Sequence, residues 1–503
     1  MSEGTDGRRD VEVAIVGAGF GGIAAAIALR RFGIEDVVIF ERGEGIGGTW
    51  LYNSYPGCAC DVPSHLYSFS YAQRRDWPRL CPAQGEIHEY ILDVARRFDV
   101  ARLVQTGVEV RAADWDAAAG RWLVETSAGP LRARSLIVAT GQLDKPALPA
   151  IPGLESFAGH SFHSARWDHE YELRGKRVAV VGTGASAVQF VPEIAPRVGR
   201  LTVFQRTGNW FMPRRNRPYP AALRALLAAV PLVQRMRRAF VFNYTEGLTA
   251  TISHPRTLGR IAAWRSAAFM RVQVRDPELR AKIWPDYTFG CKRVLFSSLF
   301  LPALARPNVE LTTSAIERIE PQGIRTADGT LHELDCIIWG TGFKALDFMA
   351  PMQVTGRHGE TIAAAWQDSP HAYLGMAVPG FPNMFLMYGP NTNTSGGSIL
   401  VYLEAQAGYI AQALAHLRTS AAGAMEVRSD VEQAADRALQ ERFRGTAWES
   451  CDSWYRLEGG RIVTNWPGYM REYVAATATL DVDDFEHLPA AQPELTATGG
   501  SDV

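Results

Sequence analysis

The sequence predicts an α/β protein with two Rossmann-like dinucleotide-binding domains and a helical insertion, and three observations predict it. A strand, glycine turn, helix and strand follow one another near the N-terminus; the same unit recurs near residue 180; and two more apolar strand runs end in Thr-Gly turns. The chain has 503 residues, 47% of them hydrophobic and 21% charged, a globular composition with room for two or more domains. Its net charge of -1 gives no global attraction to nucleic acid or to an anionic membrane, so small-molecule partners are expected.

The first unit is VEVAIVGAGFGGIAAAIALRRFGIEDVVIFER, beginning at Val11. Gly17, Gly19 and Gly22 form GxGxxG: a tight turn, a close backbone approach to pyrophosphate, and close packing of helix on strand. The helix N-terminus then presents unpaired N–H groups to phosphate. Glu41 ends the second strand, where a carboxylate can accept from a ribose 2′-hydroxyl. The second unit, KRVAVVGTGASAVQFVPEIAPRVGRLTVFQR, places Gly182, Gly184 and Ala187 at the three small-residue positions, with Ser186 in the same turn. Aligning VVIFER with LTVFQR sets Gln205 opposite Glu41, followed by Arg206 and Thr207. An amide beside a guanidinium welcomes a 2′-phosphate that an acid would repel, so this site should prefer NADPH to NADH. A solvated surface arginine is the bland alternative for Arg206.

Two unlike sites suggest a relay in which NADPH gives hydride to a resident cofactor, and FAD is the natural occupant of the first. The Thr-Gly runs LIVATGQ (136–142) and CIIWGTGF (336–343) read as strands where the chain crosses from one domain to the other. Electrons could then go to a disulfide, but the one close cysteine pair is Cys58 and Cys60, a CxC and not a redox CxxC. The six cysteines indicate neither a disulfide framework nor a zinc site, and a reducing cytoplasm suits them. The polar N-terminus lacks a signal-peptide core, and no apolar run reaches the length of a spanning helix, so a cytoplasmic protein without stable membrane insertion is expected.

The other destination is dioxygen. GGTWLYNSYPGCACD (47–61) and FAGHSFHSARWD (157–168) together resemble the two fingerprints of type I Baeyer–Villiger monooxygenases, relatives of the flavin-containing monooxygenases that oxidise nitrogen and sulfur. Gly48, Trp50, Tyr55, Pro56, Gly57 and Asp61 carry the first match; Phe157, Gly159, His163, Trp167 and Asp168 carry the second. The resemblance implies bound FAD and NADPH, and a flavin peroxyanion that attacks a ketone to give an ester or lactone. It implies Arg293, within FGCKRVLFSS, as the cation that keeps the peroxide deprotonated, with Asp61 holding that arginine. Lys292 reads as a second contact to the 2′-phosphate, or the two residues are a solvated basic pair. His160 and His163 lack further ligands at metal spacing, so no metal is expected; the segment reads as a joint between domains, with His163 as a latch and Trp167 beside it.

Further along, YGPNTNTSGG (388–397) either reaches the flavin ring or is only a loop, and Trp466 is a candidate wall of the nicotinamide or substrate pocket. The 214–285 stretch reads as amphipathic helices whose arginine-rich faces are solvated and whose apolar faces suit a hydrophobic ketone. The expected layout is a FAD domain over 10–150, an NADPH domain over 151–335 with the helical insertion, FAD-domain completion and pocket segments over 336–480, and a loose tail over 481–503. Two other outcomes stay open: an enzyme that oxygenates only nitrogen or sulfur, and a catalytically silent nucleotide-binding protein. Oligomeric state is not legible.

Overall fold

The computed structural model describes residues 9–490 apart from positions 215, 368 and 395. The larger sheet is centred on Arg9–Val16, which pairs in parallel with Val37–Glu41 on one side and Gly129–Val138 on the other. Val37–Glu41 leads to Val104–Thr106, while Gly129–Val138 turns antiparallel into Arg121–Thr126 and Val110–Asp116, with Gln353–Thr355 at the far edge. Val13, Ile15 and Ile39 are fully buried, as a parallel strand covered on both faces requires. The helix Phe20–Arg31 packs against Ile399–Thr419, so a helix from late in the chain covers a sheet begun at its start. Met384–Leu386 also adds to this sheet, with Met384 opposite Leu136.

The second sheet has five parallel strands in the order Val309–Thr312, Arg200–Phe204, Arg177–Val181, Cys336–Trp339 and His160–His163. The second fingerprint is thus an edge strand of this sheet, His163 lying opposite Trp339. A parallel pair, Phe211–Met212 with Leu295–Phe296, closes the neck of an excursion of four helices: Ala221–Ala229, Pro231–Ser253, Leu258–Gln273 and Pro277–Ile283. Among the described residues no helix is long and apolar enough to cross a membrane.

Two expectations are corrected. The loose tail does not begin at 481: Phe485–Pro489 pairs antiparallel with Ala422–Val427. One apolar anchor in an acidic run explains this, since Phe485 is buried edge-on to Tyr373; residues 491–503 lie outside the described residues. Cys291 and Cys451 form a disulfide, although cysteine spacing suggested none. They are 160 residues apart, and a bridge of that span leaves no local spacing signature. Cys58, Cys60, Cys81 and Cys336 are free and buried.

Candidate active site: one cleft against two glycine turns

Both glycine turns open on a single cleft of about 1310 Å³. Gly17 has φ +104°, and a Cβ there would lie 2.6 Å from the Ala139 carbonyl oxygen, in the first Thr-Gly run. Gly182 repeats the arrangement, with φ +102° and a Cβ position 2.5 Å from the Gly340 carbonyl of the second run. Each crossover strand therefore presses on its glycine turn, and only glycine combines that backbone with that contact. A Cβ on Gly22 would sit 1.9 Å from the Gly17 carbonyl, whereas Ala187 at the equivalent place is buried without clash. Gly19 and Gly184 precede helices that no side chain caps, so the leading amides stay available to an anion. Glu41 is buried at its strand end, one oxygen accepting from the Ala18 amide at 2.9 Å and the other from the Gly43 amide at 2.8 Å. Each oxygen keeps a lone pair for a hydroxyl. These cradles fit two dinucleotides.

In the same cleft Arg293 donates through Nη2 to both Asp61 oxygens, at 2.9 and 2.7 Å. The Arg293 side chain is 49% exposed, but its open side faces the cleft; Asp61 is 18% exposed. Burial raises the Asp61 carboxyl, yet the charge and hydrogen bond of Arg293 outweigh burial and hold it below its ordinary value. Asp61 in turn keeps Arg293 firmly protonated. Arg214 donates to the Cys60 carbonyl at 2.8 Å and adds a second cation near Asp61. Tyr388 and Tyr455 line the cleft within the field of Arg293. Burial raises both phenols, Tyr455 to about 12, so both keep their protons at neutral pH. A fixed cation in a cleft shared with two neutral phenols can stabilise negative charge on an oxygen atom. A dithiol has no comparable support: burial pushes the Cys58 thiol up to about 11, away from the thiolate.

The second turn is flanked by the expected polar residues. Ser186, Arg206, Thr207 and Lys292 all line the cleft, Arg206 exposed and Lys292 Nζ 4.9 Å from the centre of the Tyr287 ring. Gln205 lines it too, with its Nε2 donating to the Lys282 carbonyl at 2.8 Å.

The fingerprint segments meet at the junction of the two sheets. Gln189, on the helix Ala185–Ile194, clasps the first fingerprint: its Oε1 accepts from the Ala59 amide at 3.0 Å and its Nε2 donates to the Ala59 carbonyl at 2.9 Å. Tyr55 donates to the same Oε1. Phe190 bridges the two fingerprints, its ring 5.2 Å from Trp167 and 5.9 Å from Tyr55. Sequence reasoning missed Gln189 because a mid-helix glutamine carries no motif. His163 is buried, its Nδ1 accepting from the Ala165 amide at 3.1 Å. His160 instead bonds Asp168 at 2.9 Å and stacks on Tyr171, and the described residues hold no cluster able to bind a metal ion.

Burial pushes His163 and His65 down to about 4. As pH falls below 6.5 the unfolded chain takes up these protons while the folded chain resists, so stability drops between 6.5 and about 4 and levels below. Urea midpoints of wild type and His163→Gln measured across that range should show a shallower acid limb for the variant; equal slopes would show that His163 titrates normally.

Trp50, on the short helix Thr49–Tyr52, lines the cleft and donates to the Tyr67 hydroxyl at 2.8 Å. The loop 388–397 supplies Tyr388, Asn393, Thr394, Gly396 and Gly397 to the cleft wall. Its Asn391 donates to the Ile462 and Asn465 carbonyls, tying it to the C-terminal segment. Trp466 is corrected: it packs edge-on to Tyr473 in a core cluster with Leu66 and Met470, and the wall residue is its neighbour Asn465. Trp448, Trp454 and Tyr455 from the same region face the cleft instead. Alternation along an irregular segment does not reveal which aromatic points inward.

Two helix N-termini and a carboxylate–guanidinium pair in one cleft define a two-nucleotide oxidoreductase. Residues 14–225 match the family model described as pyridine nucleotide-disulphide oxidoreductase, the span that holds both glycine turns. The chain is 42% identical over 501 residues to a Baeyer–Villiger monooxygenase of Streptomyces coelicolor, covering 99% of this chain and 96% of that one. It is 38% identical over 481 residues to a Baeyer–Villiger monooxygenase of Pseudomonas aeruginosa, covering 95% and 91%. Its fold matches cyclohexanone monooxygenase from Rhodococcus sp. Phi1 bound to NADP+ with a TM-score of 0.86 at 30% identity, over 96% of this chain and all of that one. The chain belongs to the Baeyer–Villiger monooxygenase family.

Proposed function

We propose that the protein binds FAD on the first glycine turn and NADPH on the second, and with dioxygen inserts one oxygen atom beside the carbonyl of a hydrophobic ketone, giving an ester or lactone. The observation that carries this reading is the Asp61–Arg293 pair in the cleft shared by both turns. FAD held against Gly17, Gly19, Gly22 and Glu41 would supply a hydride acceptor for the reduced nicotinamide and the means to activate dioxygen for transfer of one atom. Arg293 offsets the negative charge that develops on the transferred oxygen, an interaction far stronger in a closed cleft than in water. Asp61 fixes the direction of the guanidinium and keeps it in the cleft. Gly17, Gly19 and Gly22 admit the first pyrophosphate, Glu41 takes a ribose hydroxyl, and Trp50 supplies a flat wall. Gly182, Gly184, Ser186 and Ala187 shape the second turn; Arg206, Thr207 and Lys292 serve the 2′-phosphate. His163 and Trp167 hold the joint. Leu248, Ile252, Phe289 and Trp448 give the ketone an apolar wall. Consumption of NADPH, a reductant regenerated in the cytoplasm, supports a cytoplasmic location.

The deciding experiment is one incubation with NADPH, labelled dioxygen and a panel of cyclic, linear and aryl ketones plus a sulfide, analysed by mass. Ester or lactone carrying one label atom is expected; oxidation of the sulfide with no ketone product would overturn the reading. For the second site, Arg206→Ala should raise KM for NADPH roughly ten- to a hundredfold, the value of a charged hydrogen bond, and leave KM for NADH little changed. An equal rise for both nucleotides would remove Arg206 from the 2′-phosphate.

A further inference from the structure

The helix Pro231–Ser253 turns one face to the cleft through Thr245, Leu248 and Ile252. Its other face carries Leu232, Met236 and Phe240, one turn apart and 64%, 63% and 71% exposed. Tyr244, 52% exposed, continues the row and also lines the cleft. The next helix, Leu258–Gln273, adds Ile261, Trp264 and Val272, each more than half exposed. Scattered exposed apolar residues are ordinary, but a row of four on one helix is an unburied face.

The charge of this region departs from that of the whole. Residues 216–275 contain ten arginines and one carboxylate, Glu246, in a chain whose net charge is -1. Glu246 is buried and paired with Arg471. Arg224, Arg235, Arg256, Arg260 and Arg265 are exposed and form no ion pair among the described residues. Near the start of the apolar row, Arg235 and Arg238 line a separate cavity of about 560 Å³ with Arg75 and Arg97, and no carboxylate lines it. Glu404, whose field reaches Arg238, bonds the Ser70 amide instead of lining that cavity.

We propose that this surface docks the protein reversibly on an anionic phospholipid bilayer, with the apolar row at the boundary of headgroups and acyl chains and the arginine cavity taking a lipid phosphate. Apolar side chains flanked by arginines, on a helix too polar to span, are the composition that lies in a membrane interface. A second copy of the chain fits poorly, because a two-fold contact would set arginines against arginines, and the helices Pro231–Ser253 and Leu258–Gln273 carry no exposed carboxylate to pair with them. A nucleic acid would satisfy the arginines but leave Leu232, Met236 and Phe240 in water. Docked this way, the protein would rest on the helix that also walls its cleft.

The test is flotation of the FAD-loaded full-length protein with unilamellar vesicles of phosphatidylcholine, with or without phosphatidylglycerol. Binding is expected to the anionic vesicles alone, and to be lost at about 1 M salt, where the screening length falls to roughly 3 Å. Arg235→Gln should weaken partition about fivefold, the effect of one arginine at an anionic surface. Met236→Glu with Phe240→Glu should abolish binding while flavin content and melting temperature stay unchanged. The proposal is overturned if neither vesicle binds, if both bind equally, or if the protein is a dimer that the double variant converts to monomer.

Discussion

Arg293→Ala is expected to lower ketone oxygenation a hundredfold or more while FAD stays bound. The magnitude is that of removing one fixed donor aimed at developing negative charge, about 2.7–4 kcal/mol. Flavin retention follows because the first glycine turn, Gly17 against Ala139, is built without Arg293. The variant also leaves Asp61 facing the cleft without its bidentate partner, and that carboxyl should titrate higher. Arg293→Lys should recover only a small part of the rate, since a guanidinium can be held by Asp61 through Nη2 while its other N–H groups stay free for the cleft, and a single ammonium nitrogen must do both. Product formation at the wild-type rate by Arg293→Ala, with full flavin content, would refute the role given to this residue.

Gly17→Ala and Gly182→Ala should separate the two nucleotide sites. Each substitution forces a Cβ to within 2.6 or 2.5 Å of a backbone carbonyl in a left-handed conformation, so the turn must move and its helix N-terminus with it. The positive φ alone costs about 1–2 kcal/mol. Gly17→Ala should purify without flavin, judged by the visible spectrum after denaturation. Gly182→Ala should purify with flavin and fail to be reduced by NADPH, while dithionite still reduces it. A Gly182→Ala protein that lost flavin, or a Gly17→Ala protein that kept it, would break the assignment of cofactors to turns.

Much of this architecture was legible because its signals are local. Glycine spacing, the acid or amide at a strand end, and apolar strand runs each lie within about thirty residues, and all appear in the two sheets. The contacts between the Thr-Gly runs and the glycine turns were legible only as a pattern; which carbonyl presses on which glycine is a tertiary fact. Asp61 and Arg293, 232 residues apart, were paired through family resemblance and not through any periodicity. What stayed hidden depends on orientation: Trp466 turned into the core while Trp448 faces the cleft, and Phe485 made a strand of a segment whose composition reads as tail. Gln189 was hidden most completely, since its function lies in reaching a backbone 130 residues away.

That reach couples two movements. Because one amide side chain grips the peptide at residue 59 by both its N–H and its C=O, the strip from Tyr55 to Asp61 travels with the helix of the second sheet. Any rocking of that sheet to admit or release a nicotinamide would therefore tug on the carboxylate that steers Arg293, so that loading of the reductant and aiming of the cation share one lever.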